Sequence, residues 1–226
     1  MKLTHATAGL FALCAIAAAP ATSSAQTWTN WSAATGNTFT GSLLGSSVTF
    51  TGNYIGGQLT GVGGTDYFAP SAPYTQGGVT SPDAGGNVGF IQFNQPVVGQ
   101  FAFSSPLNNV YLALISVGQG GVAVSYTFDQ AFTVVSNNNT SCAYWGCGTY
   151  SVSGNTIQAN EFSGTLLFSG PVSQLSFTTD NAEYWHGATI GAEAPVTAAP
   201  EPATLGLMAT GLIGMAGFAR RRKRNA

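Results

Sequence analysis

The chain has 226 residues, 44% of them hydrophobic and 12% aromatic, but only 6% are Asp, Glu, Lys or Arg, against ~25% in an ordinary soluble domain. That length allows one domain with accessory segments, and so little charge excludes a set of exposed amphipathic helices, whose solvent faces need charged side chains. All six Lys and Arg residues lie at the two ends, so residues 26–199 hold seven carboxylates and no Lys or Arg; this excludes nucleic-acid binding, which needs basic side chains against phosphates.

Residues 1–25 read MKLTHATAGLFALCAIAAAPATSSA. Lys2 supplies a positive start, residues 9–19 an apolar run, and Ser23, Ser24 and Ala25 a small-residue boundary before Gln26. This is the build of a cleaved secretory signal helix. The apolar run is short for a membrane span, which needs ~20 residues. Cys14 would leave with it.

Residues 26–191 are expected to form an exported all-β domain, a sandwich or jelly-roll-like ectodomain. The strand-like runs are SVTFTGNYI (47–55), NVGFIQF (87–93), NNVYLALISVG (108–118), GVAVSYTFD (121–129), AFTVVS (131–136), GTYSVSG (148–154), SGTLLFSG (163–170), SQLSFTTD (173–180) and HGATIG (186–191). In the fourth, Val122, Val124, Tyr126 and Phe128 share one face and Ser125, Thr127 and Asp129 the other, the period of a half-buried strand. The third is apolar throughout its centre, which suits a strand covered on both faces. Gly, Asn or Pro punctuates the series about every ten residues, as in sandwiches. Residues 56–87 are rich in Gly and polar side chains and read as long loops.

Cys142 and Cys147 in CAYWGC are the two cysteines beyond the signal segment. An oxidising compartment favours a disulfide between them. The spacing is not that of a thioredoxin motif, and no second cysteine pair completes a zinc site. Asp180, Glu183 and His186 in DNAEYWHG form the densest polar cluster. They are candidates for a Ca²⁺ site or a hydrolytic carboxylate pair, against an exposed turn with Tyr184 and Trp185 packed at its edge. Tyr184 and Trp185 are candidate glycan contacts, since aromatic faces stack on sugars; Trp28, Trp31, Tyr144 and Trp145 belong to the same pool, against a packing role for all six. No nucleophile elbow, phosphate loop or dinucleotide fingerprint occurs. The expectation is a non-enzymatic protein with no cofactor and no metal.

Residues 192–199 read as an extended linker. Pro200-Glu201-Pro202 follows, then an uncharged apolar stretch over 203–219, then Arg220, Arg221, Arg222, Lys223 and Arg224. As a helix the stretch reaches ~25 Å, close to the ~30 Å hydrocarbon core, with the basic side chains snorkelling to the headgroups. Basic residues beside a span stay cytoplasmic. The expected precursor is therefore an exported domain anchored by a single C-terminal transmembrane helix.

The motif, span and basic tail together resemble the PEP-CTERM sorting signal of Gram-negative bacteria. The resemblance implies processing by exosortase, a membrane-embedded cysteine transpeptidase, with Pro200, Glu201 and Pro202 as recognition residues. It implies an inner-membrane intermediate, then a surface or extracellular location with exopolysaccharide as a partner. Residues 90–191, with FSSPLNNVYLALISVG, FSGTLLFSGPVSQLSFTT and EYWHGATIGA, also resemble the β-rich region of other PEP-CTERM proteins, which implies a β-sandwich without a ligand. Both prolines fix φ, lack an N–H and bias the preceding residue towards extension, so Glu201 is presented on an extended segment. Glu201→Ala is expected to leave export intact and to accumulate unprocessed precursor in the membrane, read by immunoblot of membrane and external fractions; wild-type processing would remove Glu201 from the recognition set.

Overall fold

The computed structural model describes residues 25–82 and 87–194. The expected signal segment, the Pro200-Glu201-Pro202 motif, the expected span over 203–219 and the basic cluster lie outside the described residues. Among the described residues no helix is long and apolar enough to cross a membrane.

The fold is all-β. Thirteen strands run β1 (Gln26–Trp28), β2 (Asn30–Thr35), β3 (Thr38–Leu43), β4 (Ser46–Thr51), β5 (Gly56–Gln58), β6 (Phe90–Phe93), β7 (Val98–Val117), β8 (Val124–Phe128), β9 (Thr133–Asn137), β10 (Thr149–Ser153), β11 (Thr156–Asn160), β12 (Phe162–Thr179) and β13 (His186–Glu193). Every pairing among them is antiparallel.

The long strands β7 and β12 pair along most of their length, from Phe162↔Val117 to Thr178↔Val98. Each recruits different neighbours along its length. The N-terminal part of β7 pairs with β4, and the C-terminal part of β12 pairs with β8. At the other end of the ribbon, β7 pairs with β13 and β12 with β9. One half-sheet is thus β2-β3-β4-β7-β12-β8-β11-β10. The other is β5-β6-β13-β7-β12-β9, with β1 also on β13.

The change of direction falls where the ladder slips, between Phe168 and Pro171 and between Val172 and Gln174. Bulges bend strands and raise their twist. Asn109 takes φ 49° and Gly170 φ 87° at this point, conformations that Asn and Gly adopt at least cost. The Gly170 N–H donates to Asn109 Oδ1 at 3.1 Å, across the ribbon.

The halves meet through aromatic rings. Phe50 of β4 and Phe93 of β6 are not ladder neighbours, yet their centroids lie 5.6 Å apart. Phe177 of β12 lies within 6.3 Å of Phe50, Phe93, Phe101, Tyr126 and Phe128. Gly99 is required beside it, because a Cβ there would come within 2.8 Å of the Phe177 and Phe50 rings. Burial of a ring such as Phe177 contributes about 1.5–3 kcal/mol. Two half-sheets enclosing one apolar layer are consistent with a β-sandwich.

The expected alternation in β8 holds: Val124, Tyr126 and Phe128 are buried and Thr127 is exposed. Val110 to Val117 are all buried, as an apolar run predicts. Two expected strands, 163–170 and 173–180, are one strand, because β12 carries Ser169, Gly170 and Pro171 through the bulge instead of turning. β13 runs to Glu193, so Ala192 and Glu193, read from sequence as the start of a linker, are paired: Ala192 with Val110 and Thr27, and Glu193 with Gln26.

Tyr126 is fully buried and its hydroxyl has no partner among the described residues. Burial, then the nearby Glu183 carboxylate, push its pKa well above the usual tyrosine value of 10.0. Burial likewise raises Tyr74. Folded-state values raised in this way leave stability unaffected below pH ~10; above it the unfolded chain loses protons that the folded chain keeps, so stability falls by ~1.4 kcal/mol per pH unit per tyrosine. Thermal melts across alkaline pH should show this decline. Tyr126→Phe should melt no lower than wild type at neutral pH, since it removes an unpartnered buried hydroxyl, and should decline less steeply above pH ~10; a markedly lower neutral melting temperature would contradict it.

Candidate functional site

The centre of β7 is covered on both faces. Val110, Leu112 and Leu114 belong to the main core, and Ala113 and Ile115 to a second cluster with Phe68, Tyr74 and Phe90. Phe68 and Tyr74 come from the Gly-rich segment after β5, so these two residues cover the outer face of one half-sheet. Trp28, Tyr67, Val88 and Trp185 pack at the margin of the second cluster.

The expected disulfide is present between Cys142 and Cys147. It closes a tight turn in which the Ala143 and Gly146 amides exchange hydrogen bonds with each other's carbonyls, at 2.9 and 3.0 Å. Buried Asn138 ties the turn to the sheet. Its Nδ2 donates to the Gly146 carbonyl at 3.0 Å and the Glu161 carbonyl at 2.7 Å, and its Oδ1 accepts from the Ser163 N–H at 3.0 Å. The turn lifts Tyr144 and Trp145 outward, 48% and 50% exposed.

These two rings do not stand alone. Tyr67 lies 5.2 Å from Tyr144 and 6.2 Å from Trp145, nearly parallel to the latter at 15°. Trp185 lies 4.7 Å from Tyr67 and 5.9 Å from Trp145. Three segments distant in sequence thus build one aromatic cluster. Of the candidate glycan contacts, Trp185 is in it, half-buried; Tyr184 is 87% exposed and contributes its N–H to Gln119 Oε1 at 3.1 Å. Nothing local to Tyr67 in the sequence signals a partner. Trp31 is a core residue, its Nε1 donating to Thr189 Oγ1 at 3.0 Å, and Trp28 donates to the Thr80 carbonyl at 3.0 Å.

The DNAEYWHG segment is a strap across the β7–β8 turn. Asp180 Oδ1 accepts from the Ser125 N–H at 2.8 Å, and Asn181 donates to the Ala123 carbonyl at 2.8 Å. Glu183 Oε1 accepts from the Gly118 N–H at 2.9 Å and lies 2.7 Å from His186 Nδ1, without the alignment of a hydrogen bond. Glu183 and His186 are buried, and His186 packs against the Phe93 and Tyr126 rings. Asp180 and Glu183 therefore serve different backbone amides. Among the described residues no group of three or more His, Cys, Asp or Glu side chains could hold a metal ion.

The β13 strand, which closes the described domain at Glu193, leads towards the C-terminal signal. Residues 198–223 match the family model of the PEP-CTERM protein-sorting motif. The chain carries a PEP-CTERM sorting motif. Such a motif indicates an exported protein sorted by exosortase, held at a membrane before processing. The match begins two residues before Pro200 and takes in the expected span and four of the five clustered basic residues. No curated protein and no solved structure matches the chain.

The strap is what holds Trp185 against Tyr67. Glu183→Ala should cost about 2–3 kcal/mol, by removing a charge-assisted bond and leaving the Gly118 N–H unpaired. Hydrogen exchange should show faster exchange at Gly118 and Tyr184, with strand amides of β12 unaffected. Unchanged protection at both would show that Glu183 does not anchor the strap.

Proposed function

We propose that this is an exported, non-enzymatic protein of the cell surface or extracellular matrix, delivered by its C-terminal motif into or beside an exopolysaccharide layer. The carrying observation is the sorting match over residues 198–223, joined to a domain whose residues 26–199 contain no Lys or Arg. In this reading Pro200, Glu201 and Pro202 are the substrate of the sorting enzyme, residues 203–219 hold the precursor in the membrane, and Arg220, Arg221, Arg222, Lys223 and Arg224 stop translocation. The domain is a β-sandwich cargo. Its one imidazole–carboxylate pair, His186 and Glu183, is used in a buried tie, which supports a structural and not a hydrolytic role.

The aromatic cluster favours a second reading, in which the sandwich is a carbohydrate-binding module within the same layer. Its calcium variant has less support, since Asp180 and Glu183 are each engaged with separate backbone amides.

Mass spectrometry of the C-terminus of the protein recovered from outside the cell tests the first reading. The expected end lies at or near Pro200–Pro202, with the basic cluster removed. A retained Arg220–Arg224 tail would replace sorting with permanent membrane anchoring.

A further inference from the structure

Tyr144 and Trp145 are held half in water by a rigid support. The Cys142–Cys147 disulfide, the paired Ala143 and Gly146 amides and buried Asn138 fix the turn beneath them. Tyr67 and Trp185 back them, and both in turn contact Phe90 of the second cluster, at 5.3 and 5.7 Å. A fixed, solvent-facing aromatic group of this kind points to a ligand, because pre-organisation lowers the ordering cost of binding.

The kind of ligand follows from size and charge. Two half-exposed rings offer on the order of 200 Å², whereas a stable protein partner covers roughly 800 Å² on each side. That footprint suits one or two sugar rings. Anionic polymers are disfavoured, because residues 26–199 carry carboxylates and no Lys or Arg to neutralise them. The flanking Asn139 and Thr140 are exposed and uncharged, so they can hydrogen-bond hydroxyl groups. Tyr and Trp themselves combine an apolar face with a polar edge. The C–H face of a pyranose and its equatorial hydroxyls match that combination.

We propose that Tyr144 and Trp145, on the disulfide-clamped turn and backed by Tyr67 and Trp185, form a stacking site for an uncharged glycan. This deepens the carbohydrate-binding reading and rests on it. It moves the principal contact from Tyr184 to Trp145.

The test uses the exported protein with its disulfide intact. Short cello-, xylo-, manno- and galacto-oligosaccharides are titrated by calorimetry, beside oligogalacturonate as the anionic arm and tetramethylammonium as a cationic probe for the rings. At least one neutral oligosaccharide should bind, more tightly than oligogalacturonate. Trp145→Ala should weaken it about tenfold or more, as loss of a stacked ring does elsewhere. Trp145→Phe should recover most of the affinity. Reduction of the disulfide should weaken binding severalfold while far-ultraviolet dichroism stays unchanged. Exposed Trp145 can be replaced without touching the core, and an unchanged melting temperature in Trp145→Ala confirms that the loss is local. Neutral binding that survives Trp145→Ala but disappears in Tyr184→Ala overturns this site and leaves the carbohydrate-binding reading standing. No binding of any neutral oligosaccharide overturns both. Preference for tetramethylammonium or oligogalacturonate, or self-association abolished by Trp145→Ala, also overturns the proposal.

Discussion

The antiparallel ribbon of β7 and β12 is the constraint on which the rest of the domain depends. A sandwich needs two sheets whose apolar faces meet. Here both sheets grow from the same two strands, which change direction at one bulged region. Paired amides must be satisfied along the whole ribbon, since buried backbone groups tolerate few vacancies. The slip at Ser169 to Ser173 and the Asn109–Gly170 bond let the ladder bend and resume. Because each half of the ribbon faces a different set of neighbours, one pair of strands sets the register of both layers.

The aromatic core is the packing consequence. Once the ribbon folds over, Phe50 and Phe93 meet from opposite halves and Phe177 packs against both. The β7 segment at the centre then has two apolar faces to bury. The second face is covered by Phe68 and Tyr74, the latter in a single 3₁₀ turn over Ala72–Tyr74. That cover places Tyr67 at the margin, where the Trp185 strap and the disulfide turn arrive. The surface feature with the clearest chemical character is therefore the outer edge of the solution to a burial problem.

Local pattern made some of this legible. Val124, Tyr126 and Phe128 show a period of two, and the continuous run from Val110 announces a strand covered twice. Gly170 and Pro171 signal a stop in the sequence and divide β12 into two expected strands, but a bulge accommodates both. β3 and β11 carry little strand signal, because Gly41 and Ser42 in one and Gln158 and Asn160 in the other dilute the alternation to two apolar anchors each. The Cys142–Cys147 pair is legible in the sequence, since a separation of five residues brings the two together without help from the fold. The Asp180, Glu183 and His186 group was visible as a cluster, but its use was not. Whether carboxylates converge on an ion or cap backbone amides depends on strands that meet only in three dimensions.

Residue order alone carried the destination of the protein. Pro200-Glu201-Pro202, an apolar stretch and a basic end follow one another in the sequence, and the family match over 198–223 rests on that order. Charge distribution likewise needs no fold: a domain without Lys or Arg repels phosphate in any arrangement. The tertiary structure alone decided that Tyr67, Tyr144, Trp145 and Trp185 form one cluster, and that Glu183 and His186 meet as a buried pair. Ring contacts of about 5–6 Å between distant segments come from sheet register and loop cover, and these follow from the burial of β7 on both faces, not from any feature adjacent to the four residues themselves.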